Sequence, residues 1–171
     1  MPVFAFGHLG IEYTPTASAQ QQRLAHDMID AGAEFVIMNH PHWVQNTEVY
    51  NHKLIVYSTG NFIYDQLTYE DQRGASIDVL MSAPYSDNLA KWIAYGASCG
   101  ATNLNDSCLA NVPAGLTKPH LSFMFDLVAS DERPPQRWLT RLADSTLQFD
   151  TEKRANWTQT LEQLGQNQRL N

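Results

Sequence analysis

Basic residues are scarce in this chain. Eleven lysines and arginines stand against eighteen aspartates and glutamates over 171 residues, a formal net charge of −7 and a pI near 5.2. That balance disfavours nucleic acid or an anionic membrane as the main partner. Long apolar runs are absent too. Nothing approaches the roughly 18 consecutive apolar residues that a membrane span needs, so no span is expected. Met1-Pro2-Val3-Phe4-Ala5-Phe6 has no basic n-region and does not read as a signal peptide; it reads as a strand that starts without a lead-in. Cysteine is limited to Cys99 and Cys108, inside a stretch rich in Gly, Asn and Ser. Their long spacing, with no histidine nearby in sequence, argues against metal binding by this pair. A disulfide, which would imply an oxidising compartment, and two free thiols both stay open. No internal repeat or low-complexity block breaks the chain. With 43% hydrophobic residues, its length suits one substantial core.

What is present centres on Asn39-His40-Pro41-His42. The preceding run Phe35-Val36-Ile37-Met38 is short, bulky and half β-branched, as a buried strand is, and Asn and Pro make the tetrapeptide a turn. Imidazole is a common metal ligand and the usual acid/base group near neutral pH; two surface histidines would give the same pattern. Upstream, Val3-Phe4-Ala5-Phe6 reads as a strand ending in Gly7-His8-Leu9-Gly10, with Glu12 four residues beyond His8. A helix is expected from about Ala17 to Ala31, capped by Thr16 or Ser18. Leu24, Ala25, Met28 and Ile29 form its apolar stripe, His26 and Asp27 lie on its surface, and Gly32 closes it. Strand–helix–strand favours a parallel pair. His8, His40 and His42 then emerge at one sheet edge, where α/β folds commonly place ligands.

Further along, Trp43–Tyr50 and Leu54–Ser58 read as a hairpin around Asn51-His52-Lys53, with His52 exposed. Asn61 and Asp65 stand beside a bulky apolar cluster, where they line a cleft or cap a turn. Strands are expected over Ala75–Met81 and Leu121–Ala129, a short helix over Leu89–Tyr95, strand-like character over Trp138–Phe149, and a terminal helix over Asn156–Leu164 with Trp157, Leu161 and Leu164 on one face.

Five stretches, in order, carry a resemblance: His8-Leu9-Gly10-Ile11-Glu12-Tyr13, Ile29-Asp30-Ala31-Gly32-Ala33-Glu34, Met38-Asn39-His40-Pro41-His42, Glu48-Val49-Tyr50, and Tyr57-Ser58-Thr59-Gly60-Asn61-Phe62-Ile63-Tyr64-Asp65-Gln66. From residue 4 to about residue 80 the chain resembles the capsule-synthesis CapA family, the poly-γ-glutamate biosynthesis proteins of the calcineurin-like metallophosphoesterase superfamily. It departs from that pattern at Leu9, where the family has Trp, and at Asn39, where it has Gly. The resemblance implies an α/β (α+β) fold, a partial four-layer αββα metallophosphoesterase-like sandwich lacking its N-terminal half. Residues 1–130 would be the CapA-like portion, and 131–171 a C-terminal extension of strand plus helix.

The resemblance also implies a two-metal centre of divalent ions (Mn, Fe or Zn). His8 and His40 would ligate one metal and His42 the other, while His8, Glu12, Asn61 and Asp65 would form the catalytic set. Paired cations polarise an ester or amide and generate hydroxide near neutral pH. Family motifs supplying the bridging carboxylate lie N-terminal to the His8 strand, so the expectation is an incomplete centre, with detectable catalysis not expected from this chain alone. Self-association, or pairing with the missing half, follows as an expectation from the exposed sheet edge. The implied setting is the bacterial cell envelope, and the implied substrate an anionic polymer or phosphoester. The alternatives are a non-catalytic polymer-binding or assembly module, and a remnant whose histidines are only structural.

Overall fold

The computed structural model describes residues 2–62, 68–82, 86–99, 105, 107–108, 113, 115–116, 119–131, 138–141 and 148–165. In chain order the elements are strand β1 (Phe4–His8), helix α1 (Ala19–Asp30), β2 (Phe35–Asn39), β3 (Thr47–Tyr50), β4 (Lys53–Val56), a 3-10 turn (Glu70–Gln72), β5 (Arg73–Ser82), α2 (Ser86–Ser98), β6 (His120–Asp131), β7 (Trp138–Arg141) and α3 (Gln148–Gln163). The expected mixed α/β content is present. The chain divides into two compact units, Met1–Pro2 with Val79–Ser122, and Val3–Asp78 with Phe123–Asn171.

The larger unit holds a four-stranded sheet in the order β1-β2-β4-β3. The strand–helix–strand start gives the expected parallel pair, with Phe4 opposite Phe35 and His8 opposite Asn39. β4 adds in parallel on the far side of β2, and β3 returns antiparallel to β4. The hairpin turn is Asn51-His52, at φ 48° and 60°. Positive φ at both central residues makes it the primed turn whose twist suits a two-residue hairpin, and His52 is exposed as expected. β3 is shorter than its sequence suggests. Trp43–Asn46 lie outside it, joined to the chain after β4 by a bridge between Val44 and Thr59 and by the Gln45 N–H bond to the Ser58 carbonyl at 3.1 Å.

Ser18 opens α1. Its hydroxyl accepts from the Gln21 backbone, and the Gln21 side chain answers to the Ser18 N–H, a reciprocal cap that satisfies two otherwise unpaired donors. Gly32, at φ 109°, follows the helix end. The buried stripe differs from the expected one. Gln21, Ala25 and Ile29 are buried, whereas Leu24 is exposed. A glutamine can take that core position because its amide is fully bonded: Gln21 Nε2 donates to Gln45 Oε1 at 2.9 Å and to the Tyr57 carbonyl at 2.9 Å. Ala25, Ile29, Ala33, Val36, Met38, Ile55 and Tyr57 form the apolar layer between α1 and the sheet. His26 is not a plain surface residue. Its ring stacks on Tyr50 at 3.9 Å and its Nε2 lies 2.9 Å from Glu48 Oε1, while Glu48 Oε2 accepts from the buried Tyr57 hydroxyl.

On the opposite face, Phe35 packs against Phe123, and Phe125 meets Trp157 of α3 edge-on at 4.6 Å. The segment read as strand to Phe149 is strand only to Arg141, and α3 starts at Gln148 rather than Asn156. Trp157 and Leu161 are buried as expected, and Asn156 Oδ1 accepts from the Thr47 backbone at 2.9 Å. β5, β6 and β7 form a three-stranded sheet in that order.

The smaller unit holds α2, longer than the expected Leu89–Tyr95, with Trp92 buried. Cys99 and Cys108 form a disulfide, their Cα atoms 5.5 Å apart, which settles the alternative left open by the sequence. Tyr95 donates its hydroxyl proton to the Cys108 carbonyl.

Lys153 on α3 gives the larger unit a pH signature. It is buried and donates to the Pro15 carbonyl, and burial pushes its ammonium down to about 8. The folded pKa thus lies below the unfolded one. Between about pH 8 and 10.5 the unfolded chain binds the extra proton, so stability rises with pH across that window, by about 3 kcal/mol in full. Tyr57 acts in the opposite sense. Burial first, then the bond to Glu48, holds its hydroxyl far above the usual tyrosine range, so its contribution fades as pH climbs past about 10. Urea midpoints should therefore rise from pH 8 to 9.5 and fall beyond 10. In Lys153→Met the rise should vanish; its persistence would show that Lys153 is not the group responsible.

Candidate functional site

The site begins with register. Pairing His8 with Asn39 makes β1 and β2 end level, and one further bond, Leu9 N–H to the Asn39 carbonyl at 2.9 Å, carries both chains out at one sheet edge. The turn that follows β2 is unusual. His40 has φ 119° and His42 φ 64°, a region that L-residues seldom occupy and that costs on the order of 1–3 kcal/mol per residue. Surrounding structure enforces it. The Asn39 side chain accepts from the His40 N–H at 3.0 Å, Pro41 is buried, and its carbonyl accepts from the Tyr13 N–H at 2.8 Å. Gly10 crosses close above, at φ 141°. A Cβ there would stand 2.8 Å from Pro41 Cγ and 3.0 Å from the Gln21 amide, so only glycine lets the two loops approach.

The imidazoles gather as a result. The His8 and His40 rings are 4.9 Å apart, and those of His40 and His42 6.4 Å. Tyr13 stacks on His42 at 5.7 Å. Glu12 Oε1 lies 4.0 Å from His42 Nε2 with both groups partly exposed, a pair too open to fix either side chain firmly. A groove of about 340 Å³ runs between His8 and His40 and the Ser18, Gln21 and Leu24 positions of α1.

Asn61 approaches His42 from the segment that follows β4. Its Oδ1 is 2.9 Å from His42 Nδ1, its Nδ2 donates to the Asp71 carbonyl at 2.8 Å, and its backbone N–H donates to the Arg73 carbonyl at 3.0 Å. The buried Asp71 carboxylate accepts in turn from Trp43 Nε1 at 2.9 Å and from the Thr68 hydroxyl. Beneath them Gln45 ties the loops together. Its Nε2 donates to the Thr14 and Thr16 carbonyls at 3.1 and 3.0 Å.

Of the residues read from sequence, His8, His40, His42, Glu12 and Asn61 therefore stand at one edge of the sheet, and Asp65 lies outside the described residues. Among the described residues, no three His, Cys, Asp or Glu side chains converge as a ligand set for a metal ion. The described donors are imidazoles with one loosely placed carboxylate, and a pair of hard divalent cations needs more oxygen ligands. The described residues alone do not fit a dinuclear centre.

With this geometry in view, residues 3–66, the span of all three histidines and Asn61, match the family model "Bacterial capsule synthesis protein PGA_cap". The same region is 46% identical over 59 residues to the capsule biosynthesis protein CapA of Bacillus anthracis, covering 34% of this chain and 14% of that protein. It is also 46% identical over 59 residues to the PGA biosynthesis protein CapA of Bacillus subtilis (strain 168), 34% of this chain and 16% of the relative. The uncharacterized protein y4sH of Sinorhizobium fredii is 45% identical over 47 residues, 28% of this chain and 10% of that protein. The matches thus span about a sixth or less of these relatives' own lengths.

Four contributors to this site escaped the sequence reading. Tyr13 follows Glu12 directly and Trp43 follows His42 directly, so adjacency was the available signal. Gln21 reads as a polar helix position. Asp71 sits in a short polar stretch whose folding under Asn61 nothing local announces.

Proposed function

We propose that this chain supplies the histidine-bearing edge of a CapA-type, metallophosphoesterase-like hydrolase domain acting in capsule or poly-γ-glutamate biosynthesis. The observation that supports it most directly is the gathering of His8, His40 and His42 at the ends of two parallel strands, inside the stretch that matches the capsule-synthesis family. In this reading the three imidazoles are candidate metal ligands, Glu12 and Asn61 flank them, and carboxylates from beyond the described residues complete any dinuclear centre. No step of the hydrolysis is assigned to metal on this chain alone. The groove beside His8 and His40 would receive the anionic polymer or phosphoester.

Two features bear on where and how such an edge works. The Cys99–Cys108 disulfide suits an oxidising, extracytoplasmic setting, in keeping with a cell-envelope role. Among the described residues no helix is long and apolar enough to cross a membrane. β1 is the outer strand of its sheet, and Phe6 upon it is 77% exposed. Among the described residues its outer side is unpaired, and an uncharged strand edge with an exposed aromatic is a template for further pairing, which the rest of such a domain or a second copy would use.

Elemental analysis of the purified chain and of a His8/His40/His42→Ala triple variant tests the reading. Stoichiometric divalent metal in the wild type, lost in the variant, would support the reading. Binding of polyglutamate without metal or turnover would favour the assembly-module reading instead, and neither metal nor polymer binding would overturn both.

A further inference from the structure

We infer that Asn61 is a positioning residue that selects the tautomer of His42, anchored by the Asp71 backbone carbonyl. The two ends of an asparagine amide are nearly alike in shape, and only their hydrogen bonds tell them apart. Here the bonds leave one choice. A backbone carbonyl can only accept, so the amide atom 2.8 Å from the Asp71 oxygen is the NH2 group. The carbonyl end of Asn61 therefore faces His42 Nδ1 at 2.9 Å. That oxygen also only accepts, so Nδ1 carries the proton. In the neutral ring the lone pair then resides on Nε2, the nitrogen on the Glu12 side. This is the opposite of the tautomer that a histidine in water favours.

The anchor is stiff. Asn61 is buried, its own N–H is bonded to the Arg73 carbonyl, and Gly60 pairs with Gly74 beside it. Asp71 is clamped through both carboxylate oxygens, by Trp43 Nε1 on one and the Thr68 hydroxyl on the other. Trp43 is the residue after His42, so the chain from imidazole to amide to carbonyl closes back on its own loop. The tautomer follows from these bonds alone.

Long-range 1H–15N correlation spectra of the labelled, purified chain at pH 8 read the tautomer without any metal. The wild type should show His42 protonated on Nδ1. Asn61→Ala should move the majority to Nε2–H. A wild-type ring protonated on Nε2, or a spectrum unchanged in Asn61→Ala, overturns the inference; should that variant fail to fold, the wild-type ring alone decides it.

Discussion

Gly74→Ala should cost about 3 kcal/mol of stability, although nothing in the conformation of Gly74 itself forbids a side chain. The cost comes from the neighbouring strand. A Cβ on Gly74 would stand 2.1 Å from the Asn61 carbonyl oxygen, and neither partner is free to retreat. Asn61 N–H is bonded to the Arg73 carbonyl, and Ala75 N–H to the Thr59 carbonyl, so the two chains are stitched together on both sides of the contact. Relief requires breaking those bonds, and the backbone that moves is the one that carries Asn61. Gly60 offers a second route to the same failure. It combines φ 67° with a Cβ position 2.5 Å from the Arg73 carbonyl. Gly32 is the control. At φ 109° with nothing within 4 Å, Gly32→Ala pays backbone strain alone, about 1–2 kcal/mol. Urea unfolding should rank Gly74→Ala below Gly32→Ala at an unchanged m value. A Gly74→Ala midpoint as good as that of Gly32→Ala would mean that the strands are not held as close as the structure places them.

The same contact shows which parts of the site could be read from sequence. Strand–turn spacing placed His8, His40 and His42 at one edge because parallel pairing depends only on a local strand–helix–strand pattern, and that pattern is strong here. The hairpin around Asn51-His52 was legible for a similar reason, since both halves and the turn lie within a dozen residues. Non-local support was not legible. Gln21 looks like a solvated helix residue until Gln45 and the Tyr57 carbonyl are seen to satisfy it. Asp71 looks like part of a polar loop until Trp43, Thr68 and Asn61 converge upon it. His26 fell beside the expected apolar stripe and was read as surface. In the fold Glu48 and Tyr50 reach across from the neighbouring strand to hold it. In each case a polar side chain is buried because partners distant in sequence pay its desolvation, and periodicity carries no record of such partners. The helix start at Gln148 was missed for a local reason. Trp138-Leu139-Thr140-Arg141 is strand-like, and extending its reading through Phe149 ran past the start of α3.

The largest single effect is expected from Trp157→Ala, at about 4 kcal/mol. Trp157 is 1% exposed, packs edge-on against Phe125, and donates its indole N–H to the Gln45 carbonyl at 3.0 Å. Truncation removes the ring from the core and leaves that carbonyl without its indole donor. Trp157→Phe separates the two losses; it keeps most of the apolar volume and should cost about 1–2 kcal/mol for the bond and the smaller ring. The consequence reaches the histidines through Gln45, whose side chain bonds the Thr14 and Thr16 carbonyls and the Gln21 amide. Those bonds hold the segment that carries Glu12 and Tyr13 against the Pro41 turn. A typical domain has only about 5–15 kcal/mol to lose, so Trp157→Ala should bring the larger unit close to unfolding, with fluorescence and circular dichroism falling together. A cost below about 1 kcal/mol, with α3 lost but the His42 spectrum unchanged, would mark α3 as an appendage. A coincident, cooperative loss would instead make this helix, more than a hundred residues away in sequence, part of what holds the histidine turn in its strained form.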